Sequence, residues 1–170
     1  MKFVSNVRLL IMGAWLGAAC FFSFAVAPSA FSVLENRELA GSLVSRTLMI
    51  VNLSGLAIGL ILLLSSFIKR QALAPIWIWL ERFLLVLFTL ACAVGEFVIS
   101  VWLKLIRSQA GRPIEELAAE DPVRMQFNNL HQYSVWIMLG AMIAALILFF
   151  LIGKGSDKSA AVENKNEFKF

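Results

Sequence analysis

The stretch RMQFNNLHQYSVWIMLGAMIAALILFFLIGK, Arg124 to Lys154, has no charged residue between its two ends and one imidazole, His131. From Val135 to Ile152 every residue is apolar or glycine. A helix needs about 20 apolar residues to cross ~30 Å of hydrocarbon, and this run supplies them. Three more runs follow the same rule. No charge lies between Arg8 and Glu35 or between Arg46 and Lys69, and Glu96 alone lies between Arg82 and Lys104. The chain of 170 residues is 60% hydrophobic and 15% charged, with mean hydropathy +0.82. Soluble domains are nearer half apolar and a quarter charged.

Backbone in hydrocarbon must satisfy its own hydrogen bonds, which favours helices, and the runs are too continuous for the alternation of a membrane barrel. The sequence therefore predicts an all-α integral membrane protein, a four-helix transmembrane bundle over residues 1–153 with both termini on the same side. The spans are expected at about 8–29, 46–68, 76–105 and 128–152, and the polar segment 154–170 is expected to be a disordered tail. Lys2 and Arg8 before an apolar run, an A-x-A site at Ala25–Ala27 and "LGAAC" ending at Cys20 invite a signal-peptide reading. The run continues well past Cys20, so an uncut first helix is expected.

Flanking Lys and Arg set orientation. One side would hold Lys2, Arg8, Lys69, Arg70, Lys154, Lys158, Lys165 and Lys169, and the other Arg37, Arg46, Lys104, Arg107, Arg112 and Arg124. Eight against six predicts a multi-pass protein of the cell membrane with both termini cytoplasmic. The net charge of +4 is then a matter of topology; the partner is the lipid bilayer, with a homo-oligomer allowed, and no motif suggests nucleic acid. Pro75 suits the first turn of the third helix. In "GRPIEELAAEDP" a short helix opened by Pro113 is expected, then a restart with Asp121 as N-cap and Pro122 in the first turn. Gly13 and Gly17, Gly55 and Gly59, and Gly140 with Ala144 are small residues one turn apart, the pattern that lets membrane helices approach closely.

Polar residues inside the apolar runs carry the functional signal. A carboxylate at mid-span costs at least ~2.5 kcal/mol, so Glu96 should face the bundle interior. Arg82, Cys92, Ser100 and Arg107 fall near its helical stripe, and three readings stay open: Glu96 pairs with an arginine and fixes helix register, it lines a polar pocket with Arg46, Asn52, His131 and Ser134, or it is a protonated spectator. His131 is expected at the interface, with a ring nitrogen bonded to a neighbouring helix or loop, where it could gate access to Glu96.

The segments "WLGAACFFSFAVAPSAF", "LAGSLVSRTL" and "DPVRMQFNNLHQYS" resemble the transmembrane protein 205-like family, also called domain of unknown function 4149. The matching positions are Gly17, Phe21, Pro28 and Phe31 in the first helix and Ala40 and Gly41 at the second. Asp121, Pro122, Phe127, His131 and Ser134 match at the fourth. Members often carry an asparagine a turn after the serine, where this chain has Met138. The resemblance implies a four-helix membrane protein without an established reaction.

The favoured expectation is a non-enzymatic protein that transports or senses a small solute, or confers resistance, through the polar pocket, with no cofactor. The alternative is a metal or haem protein resembling copper-resistance protein D, with His131, Glu96, Cys20, Cys92, Met125 and Met138 as available ligands. The chain has no H-x-x-H or C-x-x-C, and its single histidine excludes bis-histidine haem ligation within one chain. A Ser134–His131 enzyme would need an orienting acid, and no catalytic motif accompanies the pair. Cys20 and Cys92 are expected to be free thiols.

Overall fold

The computed structural model describes the backbone of residues 2–67 and 75–167, and the side chains within 3–67 and 75–154. The segment that joins the second and third expected spans, 68–74, lies outside the described residues. Four helices are long and apolar enough to cross a membrane, and no strand occurs among the described residues. Helix α1 consists of an α-helical stretch, Lys2–Phe21, a π-helical turn, Phe22–Val26, and a final stretch, Ala27–Val33. Helix α2 is Arg37–Ser65. Helix α3 joins Pro75–Val94, a second π turn at Gly95–Ser100, and Val101–Ala110. A 3-10 turn, Ile114–Glu116, precedes α4, Pro122–Glu167.

All four helices outrun the apolar stretches that identify them. The reason is chemical: charged residues end the hydrocarbon-compatible part of a span without ending the helix, and caps and special backbone do that. Helix α2 starts at Arg37, nine residues upstream of the expected 46, because Asn36 caps it: its Oδ1 accepts from the amides of Glu38 (2.9 Å) and Leu39 (3.1 Å). Asp121 starts α4 as expected, its Oδ1 accepting from Val123 N at 2.8 Å, and Pro122 has no amide hydrogen to leave unsatisfied. Gly111, at φ 64°, ends α3 in the left-handed conformation that favours glycine. The helix expected at Pro113 is one 3-10 turn. Past Lys154 the backbone stays helical to Glu167, where the sequence predicts a disordered tail; no proline follows Pro122 to stop it. The π turn in α1 lies just ahead of Pro28, whose ring clashes with the carbonyl four residues back in regular α-helix. There Ala27 N donates to the carbonyl of Phe22, five residues earlier.

Helix α1 packs on α2 and α4, and α3 packs on α2 and α4. The contact core includes Met12, Trp15 and Phe22 from α1, Val51 and Leu62 from α2, Leu85, Phe88 and Cys92 from α3, and Met142, Ala145 and Leu148 from α4. Large apolar side chains such as Leu10, Phe24, Trp79 and Phe150 are exposed, as in a bundle whose outer face meets lipid rather than water. Small residues decide the closest approaches. A Cβ on Gly55 would lie 2.7 Å from both Cys92 Sγ and Trp15 Nε1, and one on Gly59 would collide with Thr89 Oγ1. The α2 glycine pair therefore seats α2 against α1 and α3. Trp15 uses the space to donate to the Val51 carbonyl (3.0 Å) and meets Phe88 edge-on at 4.6 Å. In α1 only Gly13 of its pair is tight, with Phe149 3.0 Å from its would-be Cβ; Gly17 and Gly140 have nothing within 4 Å.

Candidate functional site

The second π turn carries Glu96. A π turn holds an extra residue and recurs at functional sites; here it sets every later residue of α3 back by about 100° relative to a continuous α-helix. The stripe that joins Glu96 to Arg107 in a regular helix is broken accordingly. Glu96 is 7% exposed, and its Oε2 is fully buried without a hydrogen-bond partner among the described residues. No arginine pairs with it there. Arg107 instead stands 5.2 Å over the Phe127 ring and packs against Gly41. Arg82 covers Phe67 at 4.5 Å and donates to the Ser66 carbonyl at 3.0 Å, toward the opposite end of the bundle.

Beside Glu96, Gly95 leaves room for Asn52 of α2. A Cβ at position 95 would come within 3.1 Å of Asn52 Nδ2, so the asparagine side chain lies against the backbone of the π turn. Asn52 is 5% exposed and makes no hydrogen bond among the described residues. The turn also contacts α4, where Ser134 is buried. Three predicted pocket residues, Asn52, Glu96 and Ser134, are therefore interior.

Two are not. Arg46 is exposed on α2. His131 is exposed too, and its ring stacks in parallel on Phe127, one turn earlier on the same helix, at 6.5 Å. The hydrogen bond expected from His131 to a neighbouring helix or loop is absent among the described residues. Buried Ser134 and exposed His131 share no hydrogen bond.

The positions carrying the family resemblance divide similarly. Gly17, Phe21, Pro28 and Phe31 lie on the exposed side of α1. Gly41 and Phe127 hold Arg107, while Asp121 and Pro122 open α4. Cys20 and Cys92 are free thiols. No group of three His, Cys, Asp or Glu side chains able to hold a metal ion forms among the described residues.

One buried charge pair was not anticipated. Arg8 Nη2 lies 2.7 Å from Glu81 Oε1, both side chains 3% exposed, and also donates to the Leu62 carbonyl at 3.1 Å. Three helices, α1, α2 and α3, meet at this guanidinium. In the sequence Arg8 opens the first expected span and Glu81 lies in the early turns of the third, and nothing within either helix links them. The available signal was their setting: in "NVRLLIM" and "WIWLERFLLV" both Arg8 and Glu81 have an apolar residue within two positions on either side.

A model of the family described as domain of unknown function DUF4149 matches residues 10–112, more than half the chain. The match covers most of α1 and all of α2 and α3, including Glu96 and Asn52, and ends before α4. No curated protein and no solved structure matches.

Proposed function

The chain belongs to the DUF4149 family, and on that premise we propose that it is a multi-pass membrane protein in which Glu96 and Asn52 bind a small cationic or hydrogen-bond-donating solute. One observation carries this reading: a carboxylate in the middle of an apolar helix, on a π turn, with an oxygen buried and unpartnered among the described residues. Buried polar groups are normally hydrogen-bonded, and an unpaired one costs about 1–3 kcal/mol, more if charged. A donor or cation that entered the site would recover that cost, so the site is poised to bind. Asn52 adds a carbonyl oxygen and an amide that can orient such a guest. Binding of this kind is the step that transport, sensing and resistance have in common.

The reading also takes the cell membrane as the location and both termini as cytoplasmic, from the excess of Lys and Arg on that side. Reporter fusions after Lys154 should then read cytoplasmic and fusions within 108–120 external; the opposite pattern reverses the orientation.

The site is tested with dicyclohexylcarbodiimide, an apolar reagent for membrane carboxyl groups, on the purified protein in phosphatidylcholine vesicles. Mass spectrometry should find the adduct on Glu96 and not on Glu81, whose carboxylate Arg8 holds, and methylammonium should slow the reaction. Equal labelling of both carboxylates, or labelling of Glu96 that no amine or monovalent cation slows, refutes the proposal.

A further inference from the structure

At the end of the bundle where α3 turns toward α4, a cavity of about 280 Å³ is lined by Arg37, Arg107 and Arg112 together with Glu38, Glu115 and Phe127. We propose that this cavity is a binding site for a phosphate ester, and it is separate from the Glu96 site.

The first support is unspent charge. Although two glutamates line the same cavity, none of the three arginines makes an ion pair or hydrogen bond among the described residues. Arginine forks match phosphate oxygens two at a time and keep their charge at any physiological pH. Three arginines against two glutamates leave the lining at net +1. That balance suits the single negative charge of a phosphodiester.

The second support is rigidity. Arg107 is held between Gly41 and the Phe127 ring, with its Nη2 3.3 Å from a Cβ built on Gly41. The floor is a small apolar core of its own, Ile106, Ile114 and Leu117, packed by Phe127 and Leu130. Arg124 ties the loop down by donating to the Leu117 carbonyl at 2.7 Å. Gly111 supplies the left-handed turn that brings Arg112 to the cavity. A preorganised site loses little side-chain entropy on binding.

The third support is position and size. Trp102, exposed on α3, sits about 7.5 Å below Arg107 along the helix, and Tyr133 and Trp136 are exposed on α4. Exposed Trp and Tyr mark the headgroup level of a bilayer, so the arginines stand at the depth of lipid phosphates. The volume leaves room for a phosphate with part of its ester.

A phospholipid headgroup and a soluble phosphate present the same chemistry, and two arms of one experiment separate them. In the first, the full-length protein is extracted from vesicles of phosphatidylcholine and phosphatidylglycerol in equal parts, and retained lipid is counted by native mass spectrometry. Phosphatidylglycerol has the same phosphodiester as phosphatidylcholine but no choline cation to face the arginines, so it should be enriched about tenfold, the scale of one charge-assisted hydrogen bond, and Arg107→Gln and Arg112→Gln should return the ratio to that of the vesicle. In the second, inorganic phosphate or glycerol 1-phosphate is added to protein from phosphatidylcholine alone, and protection against thermal unfolding is measured. An Arg112-dependent response in the first arm assigns the site to lipid, and one in the second arm only assigns it to a soluble ester. Arg112 is exposed, so its variant tests the site even if Arg107→Gln fails to fold. Lys104→Gln, an exposed cation at the same end outside the lining, should change nothing. The proposal is overturned if neither arm depends on Arg112, or if Lys104→Gln abolishes enrichment to the same degree.

Discussion

Two carboxylates on α3 have nearly the same burial and opposite surroundings. Glu81 and Glu96 are 3% and 7% exposed and stand about 22 Å apart along the helix. Glu81 has a guanidinium at 2.7 Å, which also reaches a carbonyl of α2. Glu96 has Asn52 packed on the glycine beside it and an oxygen without a partner among the described residues. Burial alone therefore does not say what an intramembrane charge is for. The partner decides: a carboxylate with its counter-charge in place holds helices together, and one without it keeps binding capacity in reserve. Local backbone follows the same division, since Glu81 lies in regular α-helix and Glu96 in a π turn.

The largest effect should come from breaking the pair. Arg8→Met leaves the buried Glu81 carboxylate without this guanidinium and should cost about 3–5 kcal/mol, read as a fall in the unfolding midpoint of the detergent-solubilised protein. Replacing both partners, Arg8→Met with Glu81→Leu, should recover most of that loss, because two apolar groups of similar volume need no counter-charge. If the single variant unfolds no more easily than wild type, the pair does not hold the helices and the contrast with Glu96 disappears.

An intermediate effect is expected at Gly95, which sharpens the contrast by testing why Asn52 can reach the π turn. Gly95→Val introduces branched carbon where Asn52 Nδ2 already lies 3.1 Å from a Cβ. Overpacking of this kind costs about 1–3 kcal/mol. Asn52→Ala in the same chain should relieve part of it, since contacting residues are not additive. Additive losses in the double variant would mean that the asparagine is not what limits position 95.

The helix count, the Asp121–Pro122 start of α4, the Gly55 and Gly59 contacts and the interior position of Glu96 were legible in the sequence, because each depends on composition or spacing within one helix. The Arg8–Glu81 pair was not, since its partners are separated by 73 positions and periodicity within a helix carries no information about which helices meet. The π turns were missed for a related reason: one extra residue shifts the phase of everything after it, and only that shift removes Arg107 from the stripe of Glu96. Arg46 and His131 misled because polarity near a span suggests the interior, while the side chains of interfacial residues can equally point outward. The arginine cavity needed the folded loop, as Arg37 comes from α2, Arg107 from α3, and Arg112 from the turn behind Gly111.

The smallest stability effect should be that of Glu96→Gln, and its smallness is the sharpest test of the contrast. Glutamine keeps the shape and an oxygen at the same place while removing the charge. Had Glu96 neutralised a buried arginine, the variant would leave that arginine unpaired and the midpoint would fall as steeply as for Arg8→Met. With no arginine bonded to it among the described residues, no counter-charge is stranded, and any loss should stay within about 1 kcal/mol, the centre of the distribution for single substitutions. The parallel variant Glu81→Gln strands Arg8, whose Nε and Nη1 already have no hydrogen-bond partner among the described residues, and should be several times more costly. Thermal unfolding of both variants in one detergent makes the comparison direct. Equal losses would show that the two carboxylates do the same structural job, and Glu96 would no longer be a binding group held in reserve.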